Sequence, residues 1–123
     1  MGIITWKYVK KLDNSDSVSR FLKHYHIILP TGLIACLEQN NGGRPSEKDF
    51  NTNKGKGYVF KNLLSFNEND KESIYKFYPD LFRGTALFPF ALDSAGNIIC
   101  YDVKNKKYVL WKHETDTIEV ILR

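Results

Sequence analysis

The side chains able to do chemistry are few, and their spacing works against cooperation. His24 and His26 stand two apart, whereas two metal ligands on one helical face stand four apart, and no nearby cysteine or carboxylate completes a set. They read as structural or surface histidines. His113 precedes Glu114 at the end of a predicted strand, where neighbours point to opposite sides of a sheet, so they make a poor acid/base pair. Cys36 falls on the apolar face of a predicted helix, where a thiol packs as an inert hydrophobe and is no nucleophile. Asp93 and Asp102 lie on opposite arms of a predicted hairpin that could gather two carboxylates. Aspartate in a turn more often accepts backbone hydrogen bonds, and that is the reading adopted. Lys54-Gly55-Lys56-Gly57 lacks the spacing of a phosphate-binding loop and no helix follows it, so it reads as a flexible basic loop.

The elements that would position these residues are legible from pattern. Val18, Phe21, Leu22 and Tyr25 follow i, i+3, i+4, i+7 and predict a first helix over 15–24, capped by Ser15 or Asp16. A second helix starts with Pro30 at its first helical position and places Leu33, Cys36 and Leu37 on one face. It closes with Gly42 as the left-handed residue and Gly43 as a sharp exit. The polar run 44–56 predicts a loop, the most mobile segment of the chain, with a short strand near Phe50. Residues 58–66 read as a strand. Asn69 and Glu72 form a capping-box pattern for a third helix that buries Ile74, Phe77 and Tyr78 and ends at Pro79.

Strands are then expected over 86–92, 97–103, 108–112 and 118–122, separated by polar turns at 93–97 and 104–107. In the last of them Ile118, Val120 and Leu122 make the mostly buried face. Helices early and strands late place the chain in the α+β class.

At 123 residues the expectation is a single domain over 1–123, and 42% hydrophobic residues supply enough core that neither disorder nor a disulfide staple is required. Cys36 and Cys100 each sit among apolar neighbours, which argues for buried thiols in a reducing compartment, with one bridge between them as the alternative. The N-terminus shows no secretory pattern and no stretch is long enough to span a membrane, so cytoplasmic residence is expected. A net charge of +4 identifies no partner by itself.

In order along the chain, Leu29-Pro30, then Leu33, Cys36 and Leu37, then Asn41-Gly42-Gly43 and Leu64-Ser65-Phe66, resemble the SUKH superfamily. Phe88-Pro89-Phe90-Ala91-Leu92-Asp93, Gly96-Asn97 and Cys100-Tyr101-Asp102 continue the resemblance. It implies helices packed against a strongly curved antiparallel β-sheet, with no catalytic machinery, metal or cofactor. Many bacterial members look like immunity proteins, which bind the toxin domain of a polymorphic or contact-dependent toxin, often a nuclease, inside the producing cell. Others are regulatory adaptors.

On that footing Pro30, Asn41, Gly42, Gly43, Asp93, Gly96, Asn97 and Asp102 are expected to build the scaffold. Contacts to a protein toxin are expected from Arg44, Phe66, Trp111, Glu114, Asp116 and Glu119. A nucleic-acid-binding module is the rival, drawing on Tyr58, Phe60, Tyr101, Tyr108 and Trp111 interleaved with lysines. An enzyme would require His113, Asp93 and Asp102 to meet in one pocket.

Overall fold

Val18, Phe21 and Leu22 fall on one side of helix α1 (Ser17–His24), and all three are buried. The computed structural model describes residues 4–122; Met1 to Ile3, part of the N-terminal reading above, and Arg123 lie outside the described residues. Asp16 occupies the cap position without capping through its side chain, which pairs instead with Arg20 at 2.8 Å. The helix start is tied by Ser17, whose hydroxyl accepts from the Asn14 N–H at 3.2 Å and donates to the Asn14 carbonyl at 2.8 Å.

Pro30 stands one position earlier than expected. It is extended, at φ −56° and ψ 141°, and its carbonyl accepts from the Ile34 N–H at 3.1 Å, so it acts as the cap of α2 (Thr31–Gln39) and not as its first residue. Leu33 and Leu37 are buried and Cys36 is half-buried. Gly42 does take the left-handed conformation, at φ +69°. Gly43 is required for a different reason: a Cβ there would lie 2.9 Å from the Asn40 carbonyl oxygen and 3.0 Å from Val9 Cγ2.

The segment 44–56 is more structured than a loop. Strand β1 (Trp6–Lys7) pairs with β2 (Arg44–Pro45), and β3 (Asp49–Thr52) supplies the short strand expected near Phe50. Five further strands follow: β4 (Tyr58–Leu63), β5 (Leu87–Asp93), β6 (Ile98–Asp102), β7 (Lys107–Lys112) and β8 (Thr117–Leu122). Strands β3 to β8 form a closed antiparallel barrel, because β3 pairs with both β4 and β8. The α+β class therefore stands, while the curved sheet expected from the sequence is corrected to a barrel. The closing strand, Asp49-Phe50-Asn51-Thr52, is too short and polar to announce itself by alternation. Asn53 prolongs the seam, donating its N–H to the Val120 carbonyl and accepting the Val120 N–H on Oδ1, both at 2.9 Å.

The third helix is also corrected. Ser65 donates to the Glu72 carbonyl at 2.9 Å and Ile74 donates to the Ser65 carbonyl at 2.7 Å, which pulls residues 72–74 into a parallel bridge with Ser65. Backbone groups committed to that bridge cannot serve a helix. Glu72 forms an ion pair with Lys61 at 2.8 Å and caps nothing. What remains is a 3-10 turn (Ile74–Lys76) and a π turn (Tyr78–Phe82) with Pro79 inside it.

Phe21 centres the packing of α1 on this connection. Its ring meets Phe66, Tyr75, Tyr78 and Phe88 edge-on at centroid distances of 5.5, 5.1, 5.7 and 6.3 Å, a geometry worth about 0.5–1.5 kcal/mol per pair beyond area burial. All five residues of β6 are buried, so this strand is covered on both faces. No described helix is long and apolar enough to cross a membrane.

Candidate interaction surface

Asp93 and Asp102 do not meet. Asp102 lies opposite Leu87 at one end of the β5–β6 ladder, and Asp93 terminates β5 at the other. Each carboxylate builds the turn beside it. Asp93 Oδ1 accepts from the N–H groups of Ala95 at 3.0 Å and Asn97 at 2.7 Å, Oδ2 accepts from Asn97 Nδ2 at 2.9 Å, and Gly96 completes the turn at φ +86°. Asp102 accepts from the N–H groups of Lys104 and Asn105, both at 3.0 Å, and from Asn105 Nδ2 at 2.8 Å. Burial by itself would raise its carboxyl; the Asn105 and Lys104 donors outweigh that and hold it below the ordinary carboxylate value. His113 docks on the Asp93 turn, with Nε2 3.3 Å from the Ala95 carbonyl oxygen, far along the hairpin from Asp102. The gathering that an enzyme would need is absent from this trio.

Two residues expected to contact a partner are interior. Phe66 is buried in the Phe21 cluster. Glu119 is 9% exposed, while its neighbour Ile118 is 44% exposed and Leu122 50%, so the buried face of β8 is the reverse of the one expected. Glu119 shares a face with Leu110 and Ile99, its register neighbours on β7 and β6. Polar partners make its burial tolerable: it accepts from the hydroxyls of Thr52 at 2.5 Å and Tyr58 at 2.9 Å, and Lys112 Nζ lies 3.9 Å away. The Thr52 hydroxyl is the main cause holding its carboxyl below the ordinary value; burial opposes it, and Tyr58, Lys112 and Lys54 reinforce it. One carboxylate thus ties β3, β4, β7 and β8.

A second buried network surrounds Asn41, which is 1% exposed. Its Nδ2 donates to the Lys10 carbonyl at 3.3 Å and to Ser65 Oγ at 3.1 Å, and its Oδ1 accepts from the Phe66 N–H at 2.8 Å. Asn67 continues it, donating to the Lys11 carbonyl at 2.8 Å and accepting from the Asp13 N–H at 2.8 Å. Ser65 belonged to the Leu64-Ser65-Phe66 motif of the resemblance, while nothing in the local pattern marked Asn67.

Arg44, Trp111, Glu114 and Asp116 do reach the surface, in separate places. Arg44 lies 5.7 Å from the Tyr8 ring centroid and lines a hollow of about 290 Å³ with Lys10 and Asn62. Trp111 donates from Nε1 to Asp116 Oδ1 at 2.8 Å and meets Phe82 edge-on at 5.5 Å. Trp111 and Asp116 line another hollow that shares no residue with the first. The strand aromatics of the nucleic-acid reading are each engaged with aromatic neighbours and display no common platform. Tyr58 stacks on Phe50, Phe60 meets Trp6, Tyr101 is buried, and Tyr108 packs on Phe90.

Cys100 is fully buried and Cys36 half-buried, and both are free thiols. Burial pushes each thiol above its ordinary value, opposed at Cys36 by a hydrogen bond from Asn40. Among the described residues no group of three or more His, Cys, Asp or Glu could hold a metal ion.

The family model SUKH_6, described as SMI1-KNR4 cell-wall, matches residues 15–122. The protein belongs to this SUKH family. No curated protein and no solved structure matches it. The SUKH match runs from the residues before α1 to the end of β8, so it covers the helical pair, the barrel and both turn-building aspartates.

Proposed function

We propose that this protein is an immunity-type binding domain that neutralises a protein toxin by covering the toxin's working surface, acting in the cytoplasm of the cell that makes both. Membership of the SUKH family over residues 15–122 carries the reading. The fate of the polar residues supports it. Asp93, Asp102 and Glu119 are spent on turns and on the barrel seam, which suits a scaffold whose outer shape does the work. Trp111, Glu114 and Asp116 are proposed as one contact region and Arg44 as another, with Phe66 and Glu119 supporting from inside.

The decisive experiment is to read the adjacent upstream coding region, where the neutralisation reading expects a toxin ending in an effector domain, and to co-express that domain with this protein. Growth in the presence of an otherwise lethal effector is the expected result. Cell death despite ample folded protein would count against neutralisation. An electrophoretic shift assay at two salt concentrations tests the nucleic-acid rival, which predicts tight binding that weakens steeply with salt.

A further inference from the structure

We infer that the toxin docks on an apolar face formed by two adjoining grooves, and that it offers an apolar ridge flanked by carboxylates; this rests on the neutralisation reading above. The first groove, about 760 Å³, runs between the α1–α2 connection, residues 84–88 and the turn after β6. The second, about 660 Å³, holds Trp111 and Asp116. Thr85 and Leu87 line both, so the two adjoin across one shared wall.

Three observations point to a protein partner. Of the eight large apolar side chains that stand exposed among the described residues, Ile28 at 87%, Leu81, Ile118 and Val103 line these two grooves. Single exposed aliphatics are ordinary, but such a concentration marks a docking surface. The grooves also lie side by side with Thr85 and Leu87 between them and are both open to solvent, an arrangement that fits the broad face of another protein better than an enclosed small ligand. Charge then selects the partner. The lining includes Lys106 at one end and Lys54 at the other, two cations against the one carboxylate of Asp116, whose Oδ1 accepts from the Trp111 indole. A second copy of this chain would set lysines against lysines, whereas carboxylates beside an apolar ridge complement them. The net charge of +4 runs in the same direction.

The test measures affinity for the purified effector domain by titration calorimetry, using Ile28→Asp, Lys106→Glu and, as a remote control for the same charge change, Lys71→Glu. With melting temperatures unchanged, Ile28→Asp should weaken binding about tenfold and Lys106→Glu about fivefold, while Lys71→Glu stays within about twofold. Unchanged affinity in Ile28→Asp and Lys106→Glu, with tight binding by the parent protein, overturns the docking face and leaves neutralisation standing. Absence of binding by the parent protein overturns neutralisation itself. The chemistry of the groove has its own probe, 8-anilinonaphthalene-1-sulfonate, which joins an aromatic body to an anion. Its binding should shift the backbone amides of residues 25–29, 84–88 and 103–106 and weaken in Lys106→Glu; shifts confined to other residues overturn the assignment.

Discussion

Asn41 and Glu119 hold together two regions of the molecule with different chemistry. Asn41 gathers the N-terminal arm, the exit of α2 and the start of the β4–β5 connection through one neutral amide that donates and accepts at once. Glu119 gathers four strands at the barrel seam through a charge that only accepts: the Thr52 and Tyr58 hydroxyls supply its protons and Lys112, 3.9 Å away, its counter-charge. An amide node keeps its hydrogen-bonding capacity across pH. A carboxylate node loses acceptor capacity when protonated, so at the seam the node itself titrates, whereas beside Asn41 the carboxylate stands one step away, where Asp70 Oδ2 accepts from Ser65 and Asn67.

The largest effect is expected from Asn41→Ala, which strands the Phe66 N–H and the Lys10 carbonyl in the interior and should lower unfolding free energy by about 3 kcal/mol in urea titrations. Glu119→Ala leaves the Thr52 and Tyr58 hydroxyls without their acceptor and should cost about 2 kcal/mol. If it cost more than Asn41→Ala, the ranking of the two nodes would be inverted. Acid separates them further. Glu119 and Asp102 sit below their ordinary values when folded, so the unfolded chain takes up protons first. Their contribution is complete above the ordinary carboxylate range near about pH 4 and is lost as pH falls through the folded values. Urea midpoints taken from pH 7 to pH 3 should therefore drop, and Glu119→Gln should flatten that drop relative to its own neutral value. A smaller loss, about 1 kcal/mol, is expected for Gly42→Ala, since φ +69° strains any side chain. There the added Cβ meets only the flexible Lys10 side chain, at 3.4 Å. Smallest of all, Arg20→Ala breaks an exposed pair with Asp16 and should change stability by under about 0.5 kcal/mol.

These two nodes also show what the sequence could disclose. Asn41 stood out as part of the Asn41-Gly42-Gly43 motif that carries the SUKH resemblance, and the two glycines beside it have a local cause at the end of a periodic helix. Glu119 was misplaced because alternation in β8 ranks Ile118, Val120 and Leu122 as the apolar set. The partners that make a buried glutamate tolerable lie 67 and 61 residues away, at Thr52 and Tyr58. The same distance effect hid the barrel: a short strand near Phe50 was expected, but nothing in residues 49–52 discloses that it pairs with both β4 and β8. The third helix failed in reverse, its capping pattern overruled by a bridge to Ser65. Helices α1 and α2, the strands β5 to β8 and the two aspartate turns were legible because short-range contacts define them. The proposed docking face was not, since its walls come from five separate stretches of chain, 25–30, Lys54, 78–88, 101–106 and 111–118.

Closure of the six-stranded ring has a consequence for recognition. With β3 bonded on both sides, no strand of the ring offers an unpaired row of N–H and C=O groups, and a partner cannot attach by extending the sheet with its own backbone. If the domain neutralises toxins as proposed, selectivity on the ring is written in side chains, so a few surface substitutions could redirect it to a new target while its main-chain framework stays as it is.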